Sequence, residues 1–105
     1  MRRYRVVVEP EAQADLDAIE TYIAREGNPE AGERFVAEAL DVCRSLDRFP
    51  DRGSPRDDLR EGLRSLTFRR RAVIVYTVIG DKVSILGIAY GGRDLEGLMA
   101  DRGKE

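Results

Sequence analysis

Residues 72–90 read AVIVYTVIGDKVSILGIAY. Ala72 to Ile79 is dominated by β-branched and other apolar side chains, and so is Lys82 to Tyr90; Gly80-Asp81 separates them. Runs of this composition favour strands, and a two-residue link carrying glycine favours a tight hairpin. The stretch is therefore read as two antiparallel neighbours. Upstream, Leu63 to Phe68 is a weaker strand candidate that extends the same meander. Tyr4 to Val8 is a short strand candidate ended by Glu9-Pro10.

Between the first strand and the meander the period changes from two to about four. Ala12, Leu16, Ile19 and Ile23 fall on one helical stripe, which Tyr22 widens. Pro10 suits the first helical turn, and Glu9, Glu11, Asp15 and Asp17 suit a helix N-terminus. Gly27-Asn28-Pro29 stops this helix and starts another, with Asn28 as N-cap and Pro29 at the first helical position. Phe35, Ala39, Val42, Cys43 and Leu46 form the second stripe, which ends near Phe49-Pro50. The short link predicts an antiparallel helical hairpin. Residues 51–58, with Gly53, Ser54 and Pro55, read as loop. Gly91-Gly92 ends the last strand, and Leu95 to Met99 has the composition of one more helical turn. The expected fold is α+β, in the order β-α-α-β-β-β: an antiparallel sheet with a helical hairpin packed on one face and the other face open. A single domain is expected over 1–98, with a frayed tail over 99–105.

Composition closes off much chemistry. The chain has 105 residues, which is one domain, and 42% hydrophobic residues, enough for one core. It has no histidine, so histidine triads, ligands and general bases are excluded, and its one cysteine, Cys43, excludes an internal disulfide. No metal or cofactor is expected. No apolar run approaches 18 residues, and Met1-Arg2-Arg3 is not followed by the apolar region of a signal peptide. A cytoplasmic protein without membrane contact is expected. The formal net charge of −2 hides an asymmetry: residues 9–50 carry eleven acids and four arginines, whereas residues 60–92 carry six cations and two acids. The helical layer should be negative and the sheet positive.

Few residues point to chemistry. Asp57-Asp58 and the pair Asp15 with Asp17 read as solvated charge, Cys43 as a buried packing residue and Tyr22 as core edge. The informative set is Arg64, Arg69, Arg70, Arg71, Tyr90 and Arg93, which neighbouring strand ends can bring together. Arginine forks bind phosphate or carboxylate in a planar, two-point manner. For Arg69, Arg70 and Arg71 the competing reading is protection of a strand edge, and for Arg93 a local ion pair with Asp94.

Several stretches, in order, resemble the ParE branch of the RelE/ParE superfamily of bacterial toxins. They are Glu9-Pro10-Glu11-Ala12 with Asp15-Leu16, Ile19 and Tyr22-Ile23-Ala24; then Pro29, Ala31, Phe35, Leu40, Leu46, Phe49-Pro50 and Gly53; then Gly62-Leu63-Arg64, Val75-Tyr76, Val83, Ile85-Leu86, Ile88 and Tyr90-Gly91-Gly92-Arg93-Asp94. The resemblance implies the β-α-α-β-β-β fold and a toxin of a type II toxin–antitoxin pair. It implies inhibition of DNA gyrase by protein–protein contact, neutralisation by a cognate ParD-like antitoxin, and operator DNA contacted only through that antitoxin. It implies no cofactor and no small-molecule substrate. The RelE branch instead cuts mRNA on the ribosome; of its basic positions Arg64 and Arg93 are matched, while Leu66 and Val73 stand where further cations would be. The chain is thus expected to be a gyrase poison rather than a nuclease. The alternatives are a RelE-like mRNA endonuclease and a non-toxic relative that only binds its antitoxin. The expected target- or antitoxin-binding residues are Arg64, Arg69, Arg70, Arg71, Tyr90 and Arg93.

Overall fold

β4 (Ala72–Ile79) and β5 (Lys82–Tyr90) form the expected hairpin in the computed structural model, which describes residues 3–100 and 102. They pair antiparallel from Ile79↔Lys82 to Ala72↔Tyr90. β3 (Leu63–Phe68) pairs antiparallel with β4, Leu63 facing Thr77 and Phe68 facing Ala72. β1 (Arg5–Val8) lies on the other side of β5 and runs parallel to it, so the sheet is mixed. A parallel neighbour needs a long crossover, and the helical hairpin leaves room for one. The five-stranded order is β1-β5-β4-β3-β2, where β2 is the two-residue strand Ser54–Pro55 in a stretch expected to be loop.

Strand alternation decides which side chains meet the helices. α1 (Pro10–Glu26) and α2 (Pro29–Ser45) start at proline, and the Asn28 side chain caps α2 by accepting from the Ala31 amide at 2.8 Å. Their stripes bury Ala12, Leu16, Phe35, Ala39 and Cys43 against Ile74, Tyr76, Val83, Ile85 and Ile88. The register of β4 on β5 shifts at Val75/Tyr76, which face Gly87 and Ile85, so Leu86 is an extra residue on β5. This bulge shifts the alternation so that Ile88 faces the helices with Val83 and Ile85, while Leu86 lies on the far face. There it joins Leu63, Val75 and Ala89 in a second apolar cluster. α3 (Leu95–Met99) covers that cluster with Leu98 and Met99. The far face is therefore not open along its length, contrary to the sequence reading. Asp94 caps α3, its carboxylate accepting from the amides of Glu96 and Gly97. Of the tail expected to fray, Met99 is buried and Arg102 is ion-paired to Asp15; residues 101 and 103–105 lie outside the described residues. Among the described residues no helix is long and apolar enough to cross a membrane.

Residues 50–55 are drawn onto the edge of β3 by buried polar groups. The Tyr76 hydroxyl donates to the Pro50 carbonyl at 2.7 Å and accepts from the Gly53 amide at 2.9 Å. A Cβ at Gly53 would sit 2.6 Å from that hydroxyl, so only glycine fits. Tyr76→Phe leaves both backbone groups buried without a partner. We expect it to lower unfolding free energy by about 2 kcal/mol, read by chemical denaturation.

Cys43 is buried in the α1–α2 core, and desolvation pushes its thiol from 9.0 up to about 11, against a smaller opposing pull from Arg44. Because the folded value is raised, this stabilisation is complete below the unfolded value and is lost as pH rises through about 11. The stability difference between the wild-type chain and Cys43→Ala should thus shrink by about 2 kcal/mol between roughly pH 8 and 11, measured by denaturation at each pH.

Candidate functional site

The turn joining β3 to β4 is made of arginine. Arg69 and Arg70 both adopt the left-handed conformation, with φ of 57° and 66°. Two such residues in succession give the turn handedness that suits a twisted hairpin, normally at glycine or asparagine. The turn sends the three arginines in different directions. Arg69 Nε donates to Glu38 Oε2 of α2 at 2.7 Å. Arg70 is exposed and has no recorded hydrogen bond or ion pair among the described residues. Arg71 folds back over the end of β5, its guanidinium carbon 5.4 Å from the centre of the Tyr90 ring. Its carbonyl accepts from the Gly91 amide at 2.8 Å, which ties the two strand ends together.

Tyr90 is half-buried because its ring sits on an aromatic stack. It meets Phe35 of α2 edge-on at 5.3 Å and Tyr22 of α1 at 6.2 Å, and Phe35 in turn stacks on Phe68 of β3 at 5.6 Å. The stack fixes where Tyr90 lies and which ring face Arg71 covers. Beside it a cleft of about 260 Å³ opens between α1 and the end of β5. Ala18, Ile19 and Tyr22 form one wall, Ile88 and Tyr90 the other, and Arg71 and Arg93 flank it. Asp15 closes its inner end. Arg93 is exposed, and Asp94 is engaged in capping α3 rather than in an ion pair with it. The cleft thus joins an apolar, aromatic floor to two guanidinium groups that have no carboxylate partner among the described residues. It is suited to hold an apolar side chain next to a carboxylate or phosphate.

The six expected residues do not form one surface. Arg71, Tyr90 and Arg93 meet at the cleft; Arg70 leaves from the same turn; Arg69 belongs to its contact with α2. Arg64 lies elsewhere. It faces Tyr76 across β3–β4, donates from Nη2 to the carbonyls of Asp51 and Gly53 at 3.0 and 2.6 Å, and has a buried Nε without a partner. The single cationic sheet face expected from charge counting is absent for this reason: each side chain follows its own strand or turn.

Two residues at the cleft went unrecognised in the sequence reading. Tyr22 is 54% exposed and walls the cleft rather than sealing the core. Asp15 is buried and paired rather than solvated. Its position gave a signal: it stands three residues after Ala12 and one before Leu16, beside the apolar stripe of α1, where a charge needs a partner. The Arg102 guanidinium supplies it, and that hydrogen bond holds Arg102 above its ordinary basicity. Among the described residues no group of three or more Cys, Asp or Glu side chains converges on a metal-sized site.

Comparison with known proteins agrees with this fold. The family model for the ParE toxin of the type II toxin–antitoxin system parDE matches residues 6–95. Among solved structures, the chromosomal ParDE toxin–antitoxin system from P. aeruginosa is similar at 26% identity and a TM-score of 0.74, over 84% of this chain and 96% of that one. No curated protein matches. Matched along nearly its whole length, from β1 to the start of α3, the chain belongs to the ParE toxin family of type II toxin–antitoxin systems.

Proposed function

We propose that this toxin acts by protein–protein contact on DNA gyrase and is neutralised by a cognate ParD-like antitoxin. The observation that carries the contact reading is the cleft, where Arg71 and Arg93, in no ion pair among the described residues, stand beside Tyr90 and Tyr22. Tyrosine and arginine are the residue types that dominate binding energy at protein interfaces. Guanidinium groups held over an aromatic floor recognise acidic surface without needing a general base. Arg70, Arg71, Tyr90 and Arg93 form the contact surface in this reading, with Tyr22 added. Arg69 and Arg64 support it from the β3–β4 turn and from β3. A ParD-like antitoxin offering an acidic, extended or helical segment satisfies the same groups and so competes with the target. The paired protein in the P. aeruginosa ParDE system supports this partner. A cytoplasmic location and contact with operator DNA only through the antitoxin follow from the same reading.

A gyrase assay tests it. With supercoiled plasmid, gyrase and ATP, the purified toxin should trap double-strand breaks. Arg71→Ala/Arg93→Ala should raise the toxin concentration needed by about 30-fold or more, equivalent to at least 2 kcal/mol. Codon-phased cuts in mRNA on translating ribosomes, with gyrase unaffected, would overturn the proposal in favour of the endonuclease. Growth unaffected by expression without an antitoxin would overturn it in favour of a non-toxic binder.

A further inference from the structure

β1 accompanies only the first half of β5. It pairs with Lys82 through Ile85, the Glu9 amide then donates to the Ile85 carbonyl at 3.0 Å, and Pro10 turns the chain away into α1. From Leu86 onward one edge of β5 has no strand neighbour among the described residues. Backbone groups on such an edge are a template for another strand unless something else takes them.

Here two side chains take them. The Ile88 amide donates to Asp15 Oδ2 at 2.9 Å, and the Leu86 carbonyl accepts from Arg102 Nη1 at 3.4 Å. The two side chains also hold each other in a two-point pair: Arg102 Nη2 donates to Asp15 Oδ1 at 3.0 Å, and Nη1 donates to Oδ2. Their exposures are 7% for Asp15 and 18% for Arg102, so the pair is largely out of water. Gly87 makes the crossing possible. A Cβ there would lie 2.9 Å from Arg102 Nη1 and 3.2 Å from Leu98 Cδ2, so a larger residue would push both side-chain ends away from the strand.

We propose that α3 and the Arg102 side chain together form a strap that closes the free edge of β5, with the Asp15–Arg102 pair as its catch. While the catch is closed, no strand can add beside Leu86 and Ile88, and a partner entering the adjacent cleft docks through side chains alone. Asp15 lies at the inner end of that cleft, so the catch also fixes how α1 stands against β5. Opening is a single event. Losing Arg102 frees the Leu86 carbonyl and strands a buried carboxylate, which weakens the hold on the Ile88 amide. Asp15 and Arg102 are positioning residues in this device, and the inference does not depend on which target the toxin binds.

Residue-resolved amide hydrogen exchange on the full chain tests the strap. Arg102→Ala should speed exchange of the Ile88 amide by about tenfold or more relative to the Ile74 and Tyr76 amides of β4. Asp15→Ala, which removes the acceptor, should do the same, and the double variant should add little, because both changes break one shared contact. Arg102→Lys keeps the charge without the planar fork and should give a smaller, still selective rise; it serves as the readout if Arg102→Ala fails to fold. Ile88 exchange that stays at the wild-type rate, or that rises by the same factor as Ile74 and Tyr76, would overturn the proposal. The second result would make the pair a contributor to global stability only.

Discussion

Burial of β5 on both faces is the constraint from which most of the structure follows. Val83, Ile85 and Ile88 enter the core beneath α1 and α2, while Leu86 and Ala89 pack under α3 on the opposite side. A strand covered twice cannot alternate apolar with polar residues, and its sequence becomes a nearly continuous apolar run. The bulge at Leu86 shifts the alternation, so that Ile88 joins Val83 and Ile85 in one cluster and Ala89 joins Leu86 in the other. Gly87 brings the second layer close. Beyond the end of β1, side chains must replace the missing strand, which is why a carboxylate and a guanidinium are buried there. The cleft lies where this coverage ends, between α1 and the last residues of the strand.

What the sequence revealed was local. The β4–β5 hairpin, both helical stripes, the Asn28 cap and the proline at the start of each helix are set by neighbours within a few positions, and all are found. What it concealed was set at long range. The two residues of β2 are a strand only because Arg64 and Tyr76, from β3 and β4, hold the preceding turn. Nothing near Arg5–Val8 indicates that β1 lies parallel to β5. The second core cluster depends on a bulge and on α3 folding back, neither of which leaves a periodic trace.

The site shows the same division. Charge counting found the arginine-rich segment but not the directions of its side chains. Arg69, Arg70 and Arg71 are consecutive, yet two left-handed residues make a turn, and the three guanidinium groups part company. Arg64 sits in a strand whose alternation points it toward the helices, so its fork meets backbone carbonyls rather than a partner. Arg71, Tyr90 and Arg93 converge because the ends of β4 and β5 are neighbours, which the hairpin itself predicts. Tyr22 reached the cleft from the edge of the α1 stripe, a place where burial and exposure differ by a fraction of a helical turn.

In the proposed contact with an acidic partner, the acidic helical layer and the basic strand ends act together. Asp17, Glu26, Glu30, Glu33 and Asp41 are exposed on α1 and α2, while Arg70, Arg71 and Arg93 are exposed at the far end of the sheet. An acidic partner would be repelled along much of the helical layer, where acids outnumber arginines, and attracted at the cleft, so the charge pattern favours one orientation before contact. Close contact is then decided by shape and chemistry. Arg71 lies over Tyr90, a contact that restrains its fork and reduces the freedom it would lose on binding. Stacking uses the face of the guanidinium and leaves its edge hydrogens directed outward for a carboxylate. The aromatic stack from Phe68 through Phe35 to Tyr90 thus links the hydrophobic core to recognition: the contacts that hold α2 on the sheet also hold the arginine in a pose ready to bind.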